Sequence, residues 1–126
     1  MPVYSQPNQR IENVVTLNEN AELAASGITF VNTEAGRVLG TFIFSAGGSV
    51  LENAIGGYIG APVGGDPLTF IAITGSDGAD SIRNAGTIQG LIQLGGGNDV
   101  LVSNSGAGSG IHSVHGPDMG AGDDLL

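Results

Sequence analysis

The chain has 126 residues, one ordinary domain's length, with 40% hydrophobic but only 5% aromatic residues, no tryptophan and 23 glycines. The absence of cysteine excludes disulfide staples, zinc–thiolate sites and thiol catalysis. With three arginines, no lysine and a formal net charge of −9, the chain repels nucleic acid and anionic membranes, and cations are its natural counterpart.

Residues 1–10 read as an N-terminal extension or cap. They carry no basic patch followed by an apolar run, so no signal-peptide pattern is present, and no stretch of the chain approaches the roughly 20 apolar residues that span a bilayer. From residue 11 onward one short pattern recurs: an apolar residue, a spacer and an asparagine. It appears in Ile11-Glu12-Asn13, Phe30-Val31-Asn32, Leu51-Glu52-Asn53, Ile82-Arg83-Asn84 and Val102-Ser103-Asn104. The asparagines are 19, 21, 31 and 20 residues apart (32−13, 53−32, 84−53, 104−84). A period near 20 is one coil of a β-solenoid, whose short strands stack on the same strands of the next coil.

The expected strands, in chain order, are Asn13–Leu17, Gly27–Val31, Arg37–Phe44, Leu68–Ile73, Thr87–Leu94 and Asp99–Val102. They are rich in β-branched residues and show no 3.6-residue period. Helix is expected to be nearly absent, with Glu19–Ala25 the one candidate for a short helical turn. The 31-residue interval holds about ten extra residues, placed as an inserted loop near 60–67 on its Gly/Pro content. A second loop is expected near 106–118. The fold class is therefore all-β, a single-stranded parallel β-solenoid over 11–126 with about six coils. Its interior should be narrow and lined by Ala, Val, Ile and Leu. Each asparagine would sit above the previous one, hydrogen-bonding along the stack and tolerating a sharp turn.

All five glutamates fall in the first 52 residues and all seven aspartates follow. Three aspartates belong to a second repeat, Gly-x-Asp-x-aliphatic: Gly78-Ala79-Asp80-Ser81-Ile82, Gly97-Asn98-Asp99-Val100-Leu101 and Gly122-Asp123-Asp124-Leu125-Leu126. The phrase describes a tight turn that presents a carboxylate and then enters a strand. Asp80 and Asp99, with Asp77, are placed by the 19-residue step (97−78) at one corner of adjacent coils, where their oxygens can serve Ca²⁺. The competing reading is that these aspartates cap their own turns by accepting backbone N–H bonds.

These phrases resemble degenerate copies of the Gly-Gly-x-Gly-x-Asp-x-aliphatic-x nonapeptide of the RTX family of secreted calcium-binding repeats. The stretch Asn84–Leu94 followed by Gly95-Gly96-Gly97-Asn98-Asp99 is also similar to the passenger β-helices of autotransporter adhesins. The resemblance covers residues 75–126 well and the first half only through the asparagine period. It implies an extracellular or cell-surface structural segment: an adhesin stalk, spacer or assembly unit. Calcium would be held at Asp77, Asp80, Asp99, Asp123 and Asp124, and the partners would be a surface glycan, a receptor or further coils. One departure counts against a full calcium β-roll, because the motif occurs once per coil and only one edge can bind.

His112, His115 and Asp118 form the only histidine cluster and read as an exposed loop rather than a transition-metal site. The alternative function is the N-terminal part of a calcium-assisted carbohydrate-active β-helix enzyme. It lacks support within these residues: there is no lysine base, Arg83 is the only arginine near the aspartates, and the adjacent Asp123 and Asp124 would point to opposite faces of a strand. No phosphate-binding glycine loop is present. The chain ends at Leu125-Leu126 inside a motif, which leaves the expectation that more coils follow or that this end docks onto another chain.

Overall fold

A computed structural model describes residues 3–62, 70–103 and 110–112, with the backbone alone for 103 and 110–112. The described residues contain fifteen short strands and no helix. They are arranged in five levels of three. The first level holds β1 (Val3–Tyr4), β2 (Arg10–Asn13) and β3 (Thr16–Leu17); the second, β4 (Ala21–Leu23), β5 (Thr29–Asn32) and β6 (Arg37–Val38). The third holds β7 (Phe42–Phe44), β8 (Val50–Asn53) and β9 (Tyr58–Gly60). The fourth is β10 (Ile71–Thr74), β11 (Ser81–Asn84) and β12 (Thr87–Gln89), and the fifth β13 (Leu91–Gln93), β14 (Val100–Ser103) and β15 (Gly110–His112).

Every third strand stacks, giving three parallel five-stranded sheets, β1-β4-β7-β10-β13, β14-β11-β8-β5-β2 and β15-β12-β9-β6-β3. This is the parallel β-solenoid expected from the asparagine period, with five described levels where about six coils were expected. At about 4.8 Å per level the four steps span roughly 19 Å.

Register explains the core. Along the second sheet Ile11, Phe30, Leu51, Ile82 and Leu101 stand one above another. Leu17, Val38, Ile59 and Ile88 do the same along the third. In the first sheet Ala21, Phe42, Ile73 and Ile92 form the column. All of these are fully buried except the first-level Ile11 and Leu17, which pack against the cluster half-buried. The interior is less uniformly aliphatic than the composition implied. Phe30, Phe42 and Phe44 are its largest buried side chains, and with Tyr4 they form a chain of ring contacts at centroid distances of 5.6, 5.0 and 5.3 Å. Aromatic pairs at such spacing add to the burial of their area.

Several expectations are corrected by the corners. Glu19–Ala25 is not a helical turn: Ala21–Leu23 is β4, with Ala21 and Leu23 inward and Glu22 half-buried on the outer side. Asn13–Leu17 turns a corner after Asn13. Arg37–Phe44 and Thr87–Leu94 each divide into two strands of different sheets, at Gly40 and Gly90, because alternation within an apolar run does not reveal a bend. At Gly90 φ is +137° and an added Cβ would stand 2.7 Å from the Phe70 carbonyl oxygen, so only glycine passes there without strain. Within residues 1–10, expected as an extension or cap, β1 pairs with β4 in parallel. Of the loop expected near 60–67, residues 63–69 lie outside those described; of the loop near 106–118, only β15 is described. Gly90→Ala is expected to lower unfolding free energy by about 1–3 kcal/mol, measured by urea denaturation, with the circular dichroism of the folded state unchanged.

Candidate functional site: an asparagine ladder and an aspartate corner

The asparagines close the second-sheet strands where the chain turns toward the third sheet. Asn13, Asn32, Asn53 and Asn84 are all buried, and their amides are joined head to tail. Asn13 Nδ2 donates to Asn32 Oδ1, Asn32 Nδ2 to Asn53 Oδ1 and Asn53 Nδ2 to Asn84 Oδ1, each at 2.9 Å. The other donor hydrogen serves the corner: Asn32 Nδ2 reaches the Gly36 and Tyr58 carbonyls, and Asn53 Nδ2 those of Gly57 and Thr87. A primary amide suits this column because one group both gives and accepts, so identical side chains repeated at the coil spacing satisfy one another.

The fifth member differs from the sequence expectation. Backbone register sets Ser103, not Asn104, against Asn84, and Asn104 lies outside the described residues. The displaced reading arose because Val102 and Leu101 both fit an apolar slot. Leu101 is the buried one, whereas Val102 is 44% exposed. Sequence reasoning also missed the glycine that follows each corner. An added Cβ on Gly36 or Gly57 would collide with the Oδ1 of Asn32 or Asn53, so the Asn-x-x-x-Gly spacing at these two corners was a usable signal.

The aspartates occupy the corner between the first and second sheets. In the three lower levels this connection has five residues (5–9, 24–28 and 45–49); in the upper two it has six (75–80 and 94–99). Asp80 and Asp99 are each the last residue of the longer connection. One coil below Asp80 in register stands Ser49, and below that Ile28. The glycines of the phrase stack backbone on backbone: an added Cβ on Gly78 would lie 2.8 Å from the Gly47 Cα, and one on Gly97 2.5 Å from the Gly78 carbonyl carbon. The phrase therefore encodes a close approach of coils as well as a turn.

Both carboxyls are turned inward and have 0% exposure. The Ser76 N–H donates to Asp80 Oδ2 and the Ser76 hydroxyl to Asp80 Oδ1, both at 2.9 Å. The same hydroxyl accepts the Gly78 N–H at 3.1 Å. Asp99 Oδ1 accepts the Asp80 backbone N–H at 2.9 Å, as Ser49 Oγ accepts the Ile28 N–H at 3.1 Å two levels lower. The arrangement is a turn clasp whose acceptors are aimed at the chain's own donors. Ser76, noted in the sequence only as a departure from glycine, is its principal partner.

Burial pushes the Asp80 carboxyl up from its ordinary 3.8 to about 6; the Ser76 hydrogen bonds oppose this, while the Asp99 charge and a hydrogen bond with the Asp99 side chain add to it. Asp77 is exposed. Among the described residues no three His, Asp or Glu converge as metal ligands. Asp80 is clasped on both oxygens and Asp99 on Oδ1, so both carboxyls are engaged with the chain's own donors. Asp123, Asp124, His115 and Asp118 lie outside the described residues, and only the backbone of His112 is described. The glutamates stand outside the coil, exposed or half-buried.

The chain matches no family model, no curated protein and no solved structure. No helix of the described residues is long and apolar enough to cross a membrane.

Two outcomes test this site. Asn53→Ala breaks two rungs and strands buried donors and acceptors, so it should cost about 3 kcal/mol, against about 1 for Asn13→Ala at the ladder's end, by urea denaturation. The second concerns protons. A carboxyl with a raised folded-state pKa favours folding when protonated, so its contribution is complete below pH 3.8 and is lost as pH rises through about 6. Asp80→Asn keeps an acceptor for the Ser76 N–H and cannot ionise. Its melting temperature should therefore fall less than that of the parent chain between those pH values, and it should melt higher at neutral pH.

Proposed function

We propose that the chain is a structural segment, a rigid spacer or assembly unit of an extracellular or cell-surface repeat protein. The observation that carries this reading is the continuous buried ladder of Asn13, Asn32, Asn53 and Asn84. Its amides are spent on holding one coil to the next. The aspartate corner supports it, since Asp80 and Asp99 accept bonds from Ser76 and from the backbone of Asp80. Stacked coils of this kind draw their stability from neighbour interfaces and form stiff, extendable scaffolds. The surface setting is the one implied by the resemblance to secreted glycine- and aspartate-rich repeats.

Rigidity is measurable because the chain has no cysteine. Glu12 and Val102 stand in one outer column, four levels apart, through Val31, Glu52 and Arg83. Spin labels on Glu12→Cys and Val102→Cys, diluted with unlabelled protein, should report a single narrow distance close to the roughly 19 Å of four coil steps plus the label arms. A broad distribution would defeat the spacer reading, and release of oligosaccharides from a polysaccharide panel would replace it with the enzyme alternative. Calcium is expected to leave the melting temperature where a matched ionic-strength control puts it. A calcium-specific rise that disappears in Asp99→Asn would instead assign the corner to the metal.

A further inference from the structure

The lower end of the rod is built differently from its sides. β1, β2 and β3 are each the last strand of their sheets, so three strand edges face outward along the rod axis with no described strand beyond them. The core end lies between them: Tyr4, Ile11 and Leu17 pack on the buried cluster but remain half-exposed. Around it stand Val3, Val14 and Val15 at 49%, 62% and 53% exposure, three of the five large exposed hydrophobics among the described residues. β1 and β3 are only two residues long, so β2 is the edge able to pair, and it carries no proline, no lysine and no inward-pointing charge.

We propose that this end is a self-association surface, through which two copies of the chain join end to end about a two-fold axis. The charges on β2 select the partner and its direction. Arg10 and Glu12 are both on the outer side, with Ile11 between them turned inward. Within one chain they meet only loosely, Arg10 Nη2 to Glu12 Oε1 at 3.9 Å. An antiparallel pairing of β2 with the partner's β2, centred on Ile11, sets Arg10 opposite the partner's Glu12 and Glu12 opposite the partner's Arg10. Opposite charges placed directly across antiparallel strands attract, and a parallel copy would not create this exchange.

The same axis accounts for the rest of the end. It runs through the middle of the second sheet and exchanges the other two sides, which brings β1 over the partner's β3. Tyr4 then faces the partner's Leu17, Ile11 faces the partner's Ile11, and the two cores become one. Asn13 falls opposite the partner's Gln9, whose position in register lies below the buried Ile28, so the last amide of the ladder meets another amide. A two-fold contact uses up both copies' lower ends and closes at two. The inference rests on the solenoid fold and not on the spacer role, so its failure would leave that role untouched.

Sedimentation equilibrium of the 126-residue chain at several concentrations tests it, with circular dichroism confirming the fold of each variant. A reversible monomer–dimer equilibrium is expected, without larger species. Arg10 and Glu12 side chains are 62% and 54% exposed, so their substitution leaves the coil intact. Arg10→Glu and Glu12→Arg should each weaken the dimer roughly tenfold, because two symmetric pairs turn from attraction to repulsion. The double variant, Arg10→Glu with Glu12→Arg, should recover the parent affinity. A strictly monomeric chain would overturn the proposal and leave the end to a cap of other sequence. Open-ended polymers, or a dimer indifferent to both reversals, would overturn it too.

Discussion

Everything in this molecule follows from one constraint: each side chain has a near-copy of its own surroundings about 4.8 Å above and below it. A column position must therefore be filled by a residue that tolerates its own kind. Aliphatic side chains meet this trivially, and the inward columns of Ile, Leu, Val and Phe are the result. A buried polar residue meets it only if it both donates and accepts. Asparagine does, and four of them make a ladder in which every amide oxygen from Asn32 to Asn84 takes a hydrogen from the coil below.

Aspartate fails the same requirement, which is why the second corner looks different. Ionised carboxylates only accept, so Asp80 above Ser49 and Asp99 above Asp80 cannot build a ladder of their own. Each must be supplied with N–H or O–H groups from turns, and the connection is one residue longer where they occur. The rise of the Asp80 pKa to about 6 is the residue of that mismatch, burial first and the neighbouring carboxylate after it. A repeated Gly-x-Asp phrase therefore states two demands at once. Glycine lets one coil's backbone lie against the next, and the carboxyl ties the lengthened turn shut.

The period was legible in the sequence because the asparagine column is in register and survives decoration. Asn13, Asn32, Asn53 and Asn84 were read correctly as one stack from spacing alone. The three-sided cross-section was not legible. Its bends sit inside apolar runs, at Gly40 and Gly90, where the strand signal continues without interruption. Leu101 and Val102 are equally apolar, and only pairing with Ile82 and Arg83 decides which one turns inward. Asp80 and Asp99 were placed together correctly at one corner. Their full burial was hidden, because a turn motif rich in glycine reads as exposed and the partner that permits burial, Ser76, stood as a flaw in the motif.

The two halves of the rod should then differ in strength. The lower three levels contain the aromatic chain from Tyr4 through Phe30 and Phe42 to Phe44 and bury no carboxylate among the described residues. The upper two replace the rings with Ile and Leu and introduce Asp80 and Asp99. In a stack held by neighbour contacts, order can start at any level and grow outward, so it starts where the interface is strongest. Here that is the aromatic base, and the aspartate coils are added to a surface already formed. The change in decoration, glutamates up to residue 52 and aspartates after it, thus marks which coils bury a carboxyl, and places the proton-sensitive coils farthest from the aromatic end.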